Sequence, residues 1–330
     1  MYLAPYVTEE MQNVEYWLNK TDMDIYPEKG IIKTCFNSNG VCVKNAKMYL
    51  DDNMTQINST VLINDPVNVR DEGSCYRVTT PYASGYMQKS DIALCDDYMW
   101  QNNPEDIVII ADRILLDKNI VNYRISSLNI TMGTCLKEMF RNEAYVNSEG
   151  RLMMNSYIVR VPYRKPDGMA AFDYAPVASS GVAKRGFLPY TRENILRLAF
   201  GCLGDRYGWG GLYGGRDCSS YVLDIFRCFG IILPRNSSMQ ALAGSESIDV
   251  SNMDNDNKVQ IIKEKGPGAL VYFPGHIAIY IGENNNRLYV ISATGNVDGM
   301  KVESVIINTL NSRRHDGTTW LSNISRVVVI

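Results

Sequence analysis

The sequence is poor in the residues that proton-transfer and metal-binding sites most often use. Only two histidines occur among its 330 residues, His276 and His315. Its eight cysteines are spread along the chain, and none forms a CxxC pair, which disfavours a zinc site. We therefore expect neither a bound metal nor another cofactor, and a catalytic histidine must be one of these two.

The sequence also lacks a strong charge of either sign and a long apolar run. The formal net charge of -3 provides no basic field for nucleic acid. No run of about eighteen apolar residues occurs, so no transmembrane helix is expected. The first residues show no basic and apolar secretory signal. The location stays open between the cytoplasm and, if a leader was removed, the cell envelope or the exterior. We expect a monomer.

A chain of this length exceeds one ordinary hydrophobic core, and its pattern changes along the way. Residues 1–50 carry a helical signal, with Thr8 as the expected cap. An apolar stripe follows this cap at helical spacing: Met11, Val14, Trp17 and Leu18. We interpret 1–50 as a helical N-terminal segment.

The next region contains short runs typical of β-strands, separated by turn signals. The predicted strands are Thr60–Ile63, Val67–Val69, Tyr76–Thr80, Ile107–Ala111, Ile125–Thr131 and Tyr157–Val161. This spacing predicts small β-barrels, which we divide into 51–103 and 104–187. A helix between Asp91 and Trp100 stays open as an alternative.

Residues 188–330 have a different character. Amphipathic spacing predicts one helix from Thr191 to about Leu203 and another from Cys218 to about Phe229. The predicted strands that follow are Ala269–Phe273, His276–Ile281, Leu288–Ala293 and Arg326–Ile330. Helices followed by an antiparallel sheet indicate an α+β domain.

Cys218 lies between a glycine-rich turn and the second of these helices. Asp217 is placed to cap the helix and Gly230 to end it. Because exposed amides and the helix dipole favour an anion at a helix start, we expect Cys218 to favour the reactive thiolate and to act as a nucleophile. The alternative is a small buried apolar residue, the usual fate of a free cysteine.

A thiol nucleophile needs a base, and His276 is better placed than His315. His276 begins an alternating strand, whereas His315 lies in a polar turn. A third group usually orients the imidazole. Ser292 and Thr294 are the polar positions on the next strand, and we favour Ser292. An ordinary strand serine is the alternative.

These residues belong to a longer ordered series. The series comprises Tyr207-x-Trp209-Gly210-Gly211, Asp217-Cys218-Ser219-Ser220, Leu233-Pro234-Arg235-Asn236-Ser237, Gln240, Pro267–Phe273 and His276–Gly282. It resembles the NlpC/P60 family of papain-like cysteine peptidases over about 190–295. The β-rich region ahead resembles bacterial SH3 (SH3b) domains. The whole arrangement resembles the γ-D-glutamyl-L-diamino acid endopeptidases of the YkfC type.

The resemblance implies hydrolysis of the γ-D-glutamyl–diamino acid bond in peptidoglycan stem peptides that carry a free N-terminal L-alanine. It makes Cys218 the nucleophile and His276 the general base. It also implies that Asp217 and Ser219 bind the N-terminal part of the substrate, where a carboxylate would pair with the α-amine. The backbone amide of Cys218 is a natural oxyanion donor.

The resemblance implies further substrate contacts. Ser237 is one candidate, and Tyr207 would place its hydroxyl near the oxyanion. Glu72 and Tyr82, on predicted loops of the first SH3b-like domain, would receive the terminal amine; solvated loop residues are the alternative. Two further residues are expected to have structural roles: Arg235 fixes the loop, and Trp209 is a packing residue.

The chain departs from the family pattern at two positions. The third catalytic residue of the family is usually His, Asn or Gln, and Ser292 stands at the matching place. Ala269 replaces an aspartate that is common after Pro-Gly, and that aspartate is expected to be structural. The departure at Ser292 keeps open the alternative of a murein-binding protein with a degenerate active site. A separate alternative is an amidase or acyltransferase on the same scaffold.

Overall fold

The computed structural model describes residues 3–20, 36–95, 105–140, 145–314 and 316–330. Their contacts divide the chain into two compact units. The first combines the described residues of Met1–Gly30 with Pro189–Phe226 and Leu233–Ile330. The second combines the described residues of Ile31–Leu188 with Arg227–Ile232. Within the described ranges, no helix has the length and apolarity needed to cross a bilayer.

The second unit begins with a seven-stranded antiparallel sheet. Its strands are β1 (Gly40–Cys42), β2 (Ala46–Tyr49), β3 (Ile57–Val61), β4 (Pro66–Asp71), β5 (Tyr76–Thr79), β6 (Ser84–Met87) and β7 (Ile92–Leu94). Their order is β3-β2-β6-β5-β4-β1-β7. Alternate residues such as Val67 and Val69 on β4 are buried, which is the period-two pattern of a strand with one covered face.

The strands at the two ends of this region bear on two interpretations of the sequence. Strands β1 and β2 lie within 1–50, so that stretch is not a purely helical segment; they pair with β4, β7 and β3. The residues after Asp91 form β7 as far as Leu94 rather than a helix. The remainder of the possible helix, 96–100, lies outside the described residues.

The rest of the second unit is built from shorter sheets. Its strands are β8 (Ile107–Ile109), β9 (Arg113–Leu115), β10 (Asn129–Thr131), β11 (Cys135–Leu136), β12 (Glu138–Phe140), β13 (Ser156–Arg164), β14 (Ala170–Ala178) and β15 (Ala183–Arg185). They pair as β10-β9, β11-β8-β15 and β12-β13-β14. The strand expected from Ile125 begins only at Asn129, because Tyr123–Ile125 forms a 3-10 turn capped by Asn122.

The α-helices of the described residues belong to the first unit. They are α1 (Val14–Leu18), α2 (Arg192–Gly201), α3 (Cys218–Arg227, whose last residue belongs to the second unit), α4 (Ser237–Ala243), α5 (Asn255–Lys265) and α6 (Trp320–Asn323). Thr8 is not the cap of the first helix. Glu10–Gln12 forms a 3-10 turn, and the side chain of Asn13 accepts the Glu15 amide at 3.0 Å to start α1.

A six-stranded antiparallel sheet completes the first unit and confirms the α+β class. Its strands are β16 (Glu246–Asp249), β17 (Leu270–Phe273), β18 (His276–Asn284), β19 (Arg287–Val297), β20 (Met300–Thr309) and β21 (Arg326–Val329). Their order is β16-β21-β17-β18-β19-β20. A tight hairpin pairs Phe273 with His276, and Ile279 lies opposite Ile291 on the next strand.

The N-terminal segment packs against this sheet. Trp17 is fully buried, with its ring 5.2 Å from that of Tyr289 on β19. The Tyr289 hydroxyl donates to the carbonyl of Tyr6 at 2.9 Å, and the Arg287 guanidinium lies 4.2 Å from the Tyr6 ring centroid. Residues 3–20 therefore contribute to the core of the first unit although about 170 residues separate them from α2.

Candidate active site

A glycine-rich turn leads the chain into α3. Gly208 has no room for a side chain, since a Cβ there would lie 2.1 Å from the carbonyl oxygen of Leu212. Gly210 has a φ of 60°, a conformation that glycine adopts without steric cost. Its amide donates to Oδ2 of Asp217 at 3.0 Å. The turn is therefore tied to the residue that precedes the cysteine.

The first turn of α3 confirms the predicted cap. Oδ1 of Asp217 accepts the amide of Ser220 at 2.9 Å, and the Ser220 hydroxyl accepts the amide of Asp217 at the same distance. Cys218 is consequently the first residue of the helix. The helix ends at Arg227, two residues earlier than expected, and Gly230, with a φ of 75°, follows as the predicted stop.

Arg235 forms a buried ion pair with Asp217. Its Nη1 donates to Oδ1 of Asp217 at 3.1 Å and to the hydroxyl of Ser219 at 2.8 Å, while Nη2 pairs with Oδ2. Burial alone would raise the pKa of Asp217, but the charge and hydrogen bonds of Arg235, together with the amides of Ser220 and Gly210, hold this pKa below its ordinary value. Arg235 therefore fixes the segment that precedes the thiol.

The pairing with Arg235 leaves Asp217 and Ser219 little exposed surface for the substrate contacts expected of them. Only 2% of Asp217 and 5% of Ser219 is exposed, and the carboxylate already accepts from Arg235, Gly210 and Ser220. The amide of the buried Gln240 side chain also donates to the Ser219 carbonyl at 2.9 Å. Both residues are therefore buried and already hydrogen-bonded within the protein.

The thiol of Cys218 has a raised pKa, contrary to the expectation from its helix position. Burial is the main cause and the negative charge of Asp217 the second; together they raise the pKa to about 11. The backbone amides of Ile277 and Ser219 and the charge of Arg235 act in the opposite direction. Desolvation exceeds the helix effect, so the resting thiol is protonated at neutral pH.

His276 begins β18 and has a hydroxyl partner on β19. Its Nε2 lies 3.1 Å from Oγ of Ser292, which is fully buried. The remaining ring nitrogen is Nδ1. The thiol of Cys218 contacts the amide of Ile277, the residue next to His276, which brings nucleophile and imidazole to the same end of β18. The structure thus brings Cys218, His276 and Ser292 together.

Aromatic rings and a positive charge surround the imidazole. The ring of Trp320 meets it edge-on at 5.1 Å between centroids, and that of Phe273 lies at 5.8 Å. Burial and then the charge of Arg314 lower the pKa of His276 to about 3, with Asp217 opposing them. Trp320 and Arg314 lie far along the chain from His276, and no motif pointed to them.

The other expected contacts of the first unit are partly exposed. Tyr207 is half-buried, and its pKa is raised by burial and then by the charges of Cys218 and Asp217, which places it near the thiol. Ser237, the first residue of α4, is half-buried. Trp209 is 63% exposed, so the expectation that it is a packing residue is wrong.

Glu72 and Tyr82 belong to the second unit and differ from each other. Glu72 is exposed and accepts from Nε of Arg70 at 2.7 Å. Tyr82 lies on the loop between β5 and β6, as expected, but it is buried: its hydroxyl donates to Asp65 at 2.6 Å, and its ring lies 4.7 Å from the Arg227 guanidinium. His315, the weaker candidate for the base, lies outside the described residues.

A cysteine at a helix start, with a histidine and its hydroxyl partner on neighbouring strands, is an arrangement typical of cysteine peptidases. Residues 204–322 match the profile of the NlpC/P60 family. The matched stretch contains Cys218, His276 and Ser292.

Known proteins with related sequences include two named γ-D-glutamyl-L-lysine dipeptidyl-peptidase. The protein from Bacillus subtilis (strain 168) is 33% identical over 28% of this chain and 30% of its own length. The protein from Bacillus cereus (strain ATCC 10987) is 32% identical over 25% of this chain and 24% of its own length. The chain thus aligns with less than a third of either relative.

Solved structures resemble the chain over a much greater length. An NlpC/P60 endopeptidase from Photobacterium damselae subsp. piscicida has a TM-score of 0.69 and 17% identity, covering 99% of this chain and 79% of that one. An NlpC/P60 family protein from Bacillus cereus has a TM-score of 0.60 and 17% identity, covering 88% and 99%. At these identities the likeness establishes the fold.

Proposed function

We propose that the protein is a cysteine peptidase that hydrolyses the γ-D-glutamyl–diamino acid bond of peptidoglycan stem peptides with a free N-terminal L-alanine. The observation that carries the proposal is the arrangement of Cys218 at the start of α3 with His276 and Ser292 on adjacent strands. The names of the Bacillus relatives support this choice of bond. Whether the diamino acid is diaminopimelate or lysine is a separate question of specificity.

The reaction starts from a neutral thiol and a neutral imidazole. Nε2 of His276 carries its proton toward Ser292, which leaves Nδ1 to accept the thiol proton as the sulfur attacks the γ-carbonyl. The imidazolium returns that proton to the amine of the diamino acid, which leaves, and a thioester remains on Cys218. Water then gives up a proton to Nδ1, hydrolyses the thioester and restores the thiol.

The backbone amide of Cys218 is proposed to stabilise the oxyanion, because amides at a helix start point outward and carry partial positive charge. The Tyr207 hydroxyl is proposed to contribute from the other side, since Tyr207 lies near the thiol. Asp217 and Ser219 are proposed to act indirectly, by holding Cys218 in position. Ser237 is half-buried and is the candidate for direct contact with the substrate.

The terminal amine of L-alanine needs an acidic partner that is exposed to the substrate. Glu72 is exposed, although it accepts from Arg70, and it stays the proposed carboxylate for this amine. The hydroxyl of Tyr82 donates to Asp65, which makes it the weaker of the two proposals. Replacement of Glu72 by Gln tests the role, and the expected result is a higher KM for free-amine peptides with no change for N-acetylated ones.

The test of the proposed function is hydrolysis of L-Ala-γ-D-Glu-meso-diaminopimelate and L-Ala-γ-D-Glu-L-Lys, followed by mass spectrometry. The wild type should release L-Ala-D-Glu and the diamino acid, and N-acetylation of the alanine should suppress the release. Cys218→Ala should abolish it, whereas Cys75→Ala, a buried thiol of the second unit, should not. Retained hydrolysis in Cys218→Ala would end the proposal.

A murein-binding protein with a degenerate active site is the second candidate. The raised pKa of Cys218 and the serine partner of His276 favour it, since each weakens a thiol–imidazole pair. This candidate predicts co-sedimentation with purified murein and no release of any peptide on long incubation. Release that depends on Cys218 would exclude it.

A further inference from the structure

Arg314 lies in a closed loop between β20 and α6. Its amide donates to the carbonyl of Thr318 at 2.8 Å, and its own carbonyl accepts the amide of Gly317 at 3.0 Å. An isolated β-bridge joins Arg313 to Thr319 immediately outside these bonds. Both the amide and the carbonyl of Arg314 are therefore hydrogen-bonded, which fixes the backbone position from which its side chain extends.

The side chain of Arg314 extends over an aromatic ring that adjoins the catalytic imidazole. Its guanidinium carbon lies 5.6 Å from the centroid of the Phe273 ring. That ring in turn lies 5.8 Å from the ring of His276. The charge of Arg314 is close enough to disfavour protonation of His276. A half-buried cation thus lies beside the residue that exchanges protons during the reaction.

The charge of Arg314 is not neutralised like that of the buried arginines of the first unit. Arg235 pairs with Asp217, and Arg216 pairs with Asp205 and Asp224. Among the described residues, no carboxylate forms an ion pair with Arg314 and no acceptor takes a hydrogen bond from its guanidinium.

The nearby carboxylate of Asp316 does not form an ion pair with Arg314. Asp316 is exposed, and its Oδ1 accepts both the amide and the hydroxyl of Thr318. Arg314 acts on it only through its charge. The guanidinium is therefore a donor with planar, bidentate geometry whose capacity the described side chains do not use.

The chemistry of the reaction determines which part of a substrate would meet this donor. His276 must protonate the leaving amine, so the residue that leaves lies against the imidazole. The acyl part of the substrate lies toward Cys218, where the amides of Ile277 and Ser219 face the sulfur. Arg314 is on the imidazole side, next to Phe273. It therefore faces the leaving diamino acid.

We propose that Arg314 is a specificity residue that binds a carboxylate of the diamino acid released by the enzyme. This inference rests on the proposed function and extends it to the leaving-group side of the site. A guanidinium and a carboxylate form two parallel charge-assisted hydrogen bonds, and the Phe273 ring supports the guanidinium from one face. The selected substrate is a stem peptide that presents a carboxylate immediately after the cleaved bond.

Two carboxylates meet this description. One is the α-carboxylate of a diamino acid at the end of the peptide. The other is the second carboxylate that diaminopimelate has and lysine lacks. Four peptides separate them: L-Ala-γ-D-Glu followed by meso-diaminopimelate, by meso-diaminopimelate amidated on its second carboxylate, by L-lysine, and by L-lysine amide, which has no carboxylate in this residue.

The test compares the wild type with Arg314→Gln on all four peptides. Loss of a charge-assisted bidentate contact should lower kcat/KM by about 10- to 100-fold, mainly through KM, for every peptide that carries the bound carboxylate. A loss limited to unamidated diaminopimelate identifies the second carboxylate, and a loss for all but lysine amide identifies the α-carboxylate. Arg314→Lys should retain part of the rate, and the exposed Arg313→Gln should behave as wild type.

Two results overturn the inference. One is an equal fold-loss for the peptide without a carboxylate, which would mean that Arg314 acts on His276 alone. The other is unchanged kinetics on all four peptides. Calorimetric binding of the peptides to Cys218→Ala and to Cys218→Ala/Arg314→Gln decides the matter without turnover. Equal affinities overturn the role of Arg314, whereas absence of hydrolysis by the wild type overturns only the proposed function.

Discussion

The hydroxyl oxygen of Ser292 lies 3.1 Å from Nε2 of His276, and Ser292 has no exposed surface. Two adjacent strands hold the pair, because β18 and β19 are aligned with Ile279 opposite Ile291. In the tautomer that carries its proton on Nε2, the imidazole donates to this hydroxyl and Nδ1 is the basic nitrogen. It provides orientation without the negative charge that a carboxylate would supply.

Ser292→Ala should lower kcat by about tenfold and leave KM nearly unchanged, because one neutral hydrogen bond contributes about 1 kcal/mol to the orientation of the imidazole. Steady-state kinetics on the diaminopimelate tripeptide measures the effect. Thr294→Ala is the matched control, since its hydroxyl bonds to the Asn296 carbonyl on the same strand. Equal losses in the two variants would contradict an orienting role for Ser292.

Alkylation of Cys218 by iodoacetamide should accelerate steadily with pH. With a pKa of about 11, the reactive thiolate increases about tenfold per unit between pH 7 and pH 9. Because the pKa of His276 is lowered to about 3, no step is expected between pH 5 and pH 7. Mass spectrometry of the labelled peptide follows the rate, with Cys218→Ala giving the background. A plateau below pH 7 would instead indicate a resting thiolate–imidazolium pair.

Arg235→Met should destabilise the fold by about 3–5 kcal/mol, because it leaves the carboxylate of Asp217 buried without its counter-charge. Urea unfolding measures the free energy of unfolding. The double variant Asp217→Asn/Arg235→Met should recover part of the loss, since it removes the unpaired charge. A double variant as unstable as the sum of the two single variants would disprove coupling between these side chains.

Trp17→Ala should cost about 3–5 kcal/mol of stability, because the indole is fully buried against Tyr289. Glu15→Gln is the control from the same helix, and it removes only a solvent-exposed pair with Arg197, worth less than about 1 kcal/mol. Thermal unfolding compares the two variants; it is followed by far-ultraviolet circular dichroism, which reports on the backbone rather than on tryptophan fluorescence. A small effect of Trp17→Ala would show that the N-terminal segment adds little to the first unit.

Local patterns predicted much of the first unit. The cap at Asp217, the helix from Cys218 and the strand from His276 depend on neighbours within a few residues, and the sequence contains those neighbours. The partnership of His276 with Ser292 required only the assumption that consecutive strands pair. These parts of the site could be predicted from the sequence alone.

The electrostatics of the site depends on contacts that are distant along the chain. The pKa of Cys218 is raised by burial that no helix position reveals, and Arg314 approaches His276 from a loop 38 residues away. Tyr82 lies on a loop, as expected, yet its contacts with Asp65 and Arg227 bury it. Tertiary packing decides such environments, and a single sequence records it only weakly.

The packing of Trp17 on Tyr289 shows that the first unit is discontinuous along the polypeptide. A fragment cut to the family boundaries, 204–322, would omit both α2 and the N-terminal segment, and the apolar surface of β19 that Trp17 covers would face water. During synthesis the ribosome releases Trp17 well before β19 exists. Completion of this core therefore waits until nearly the whole chain has emerged.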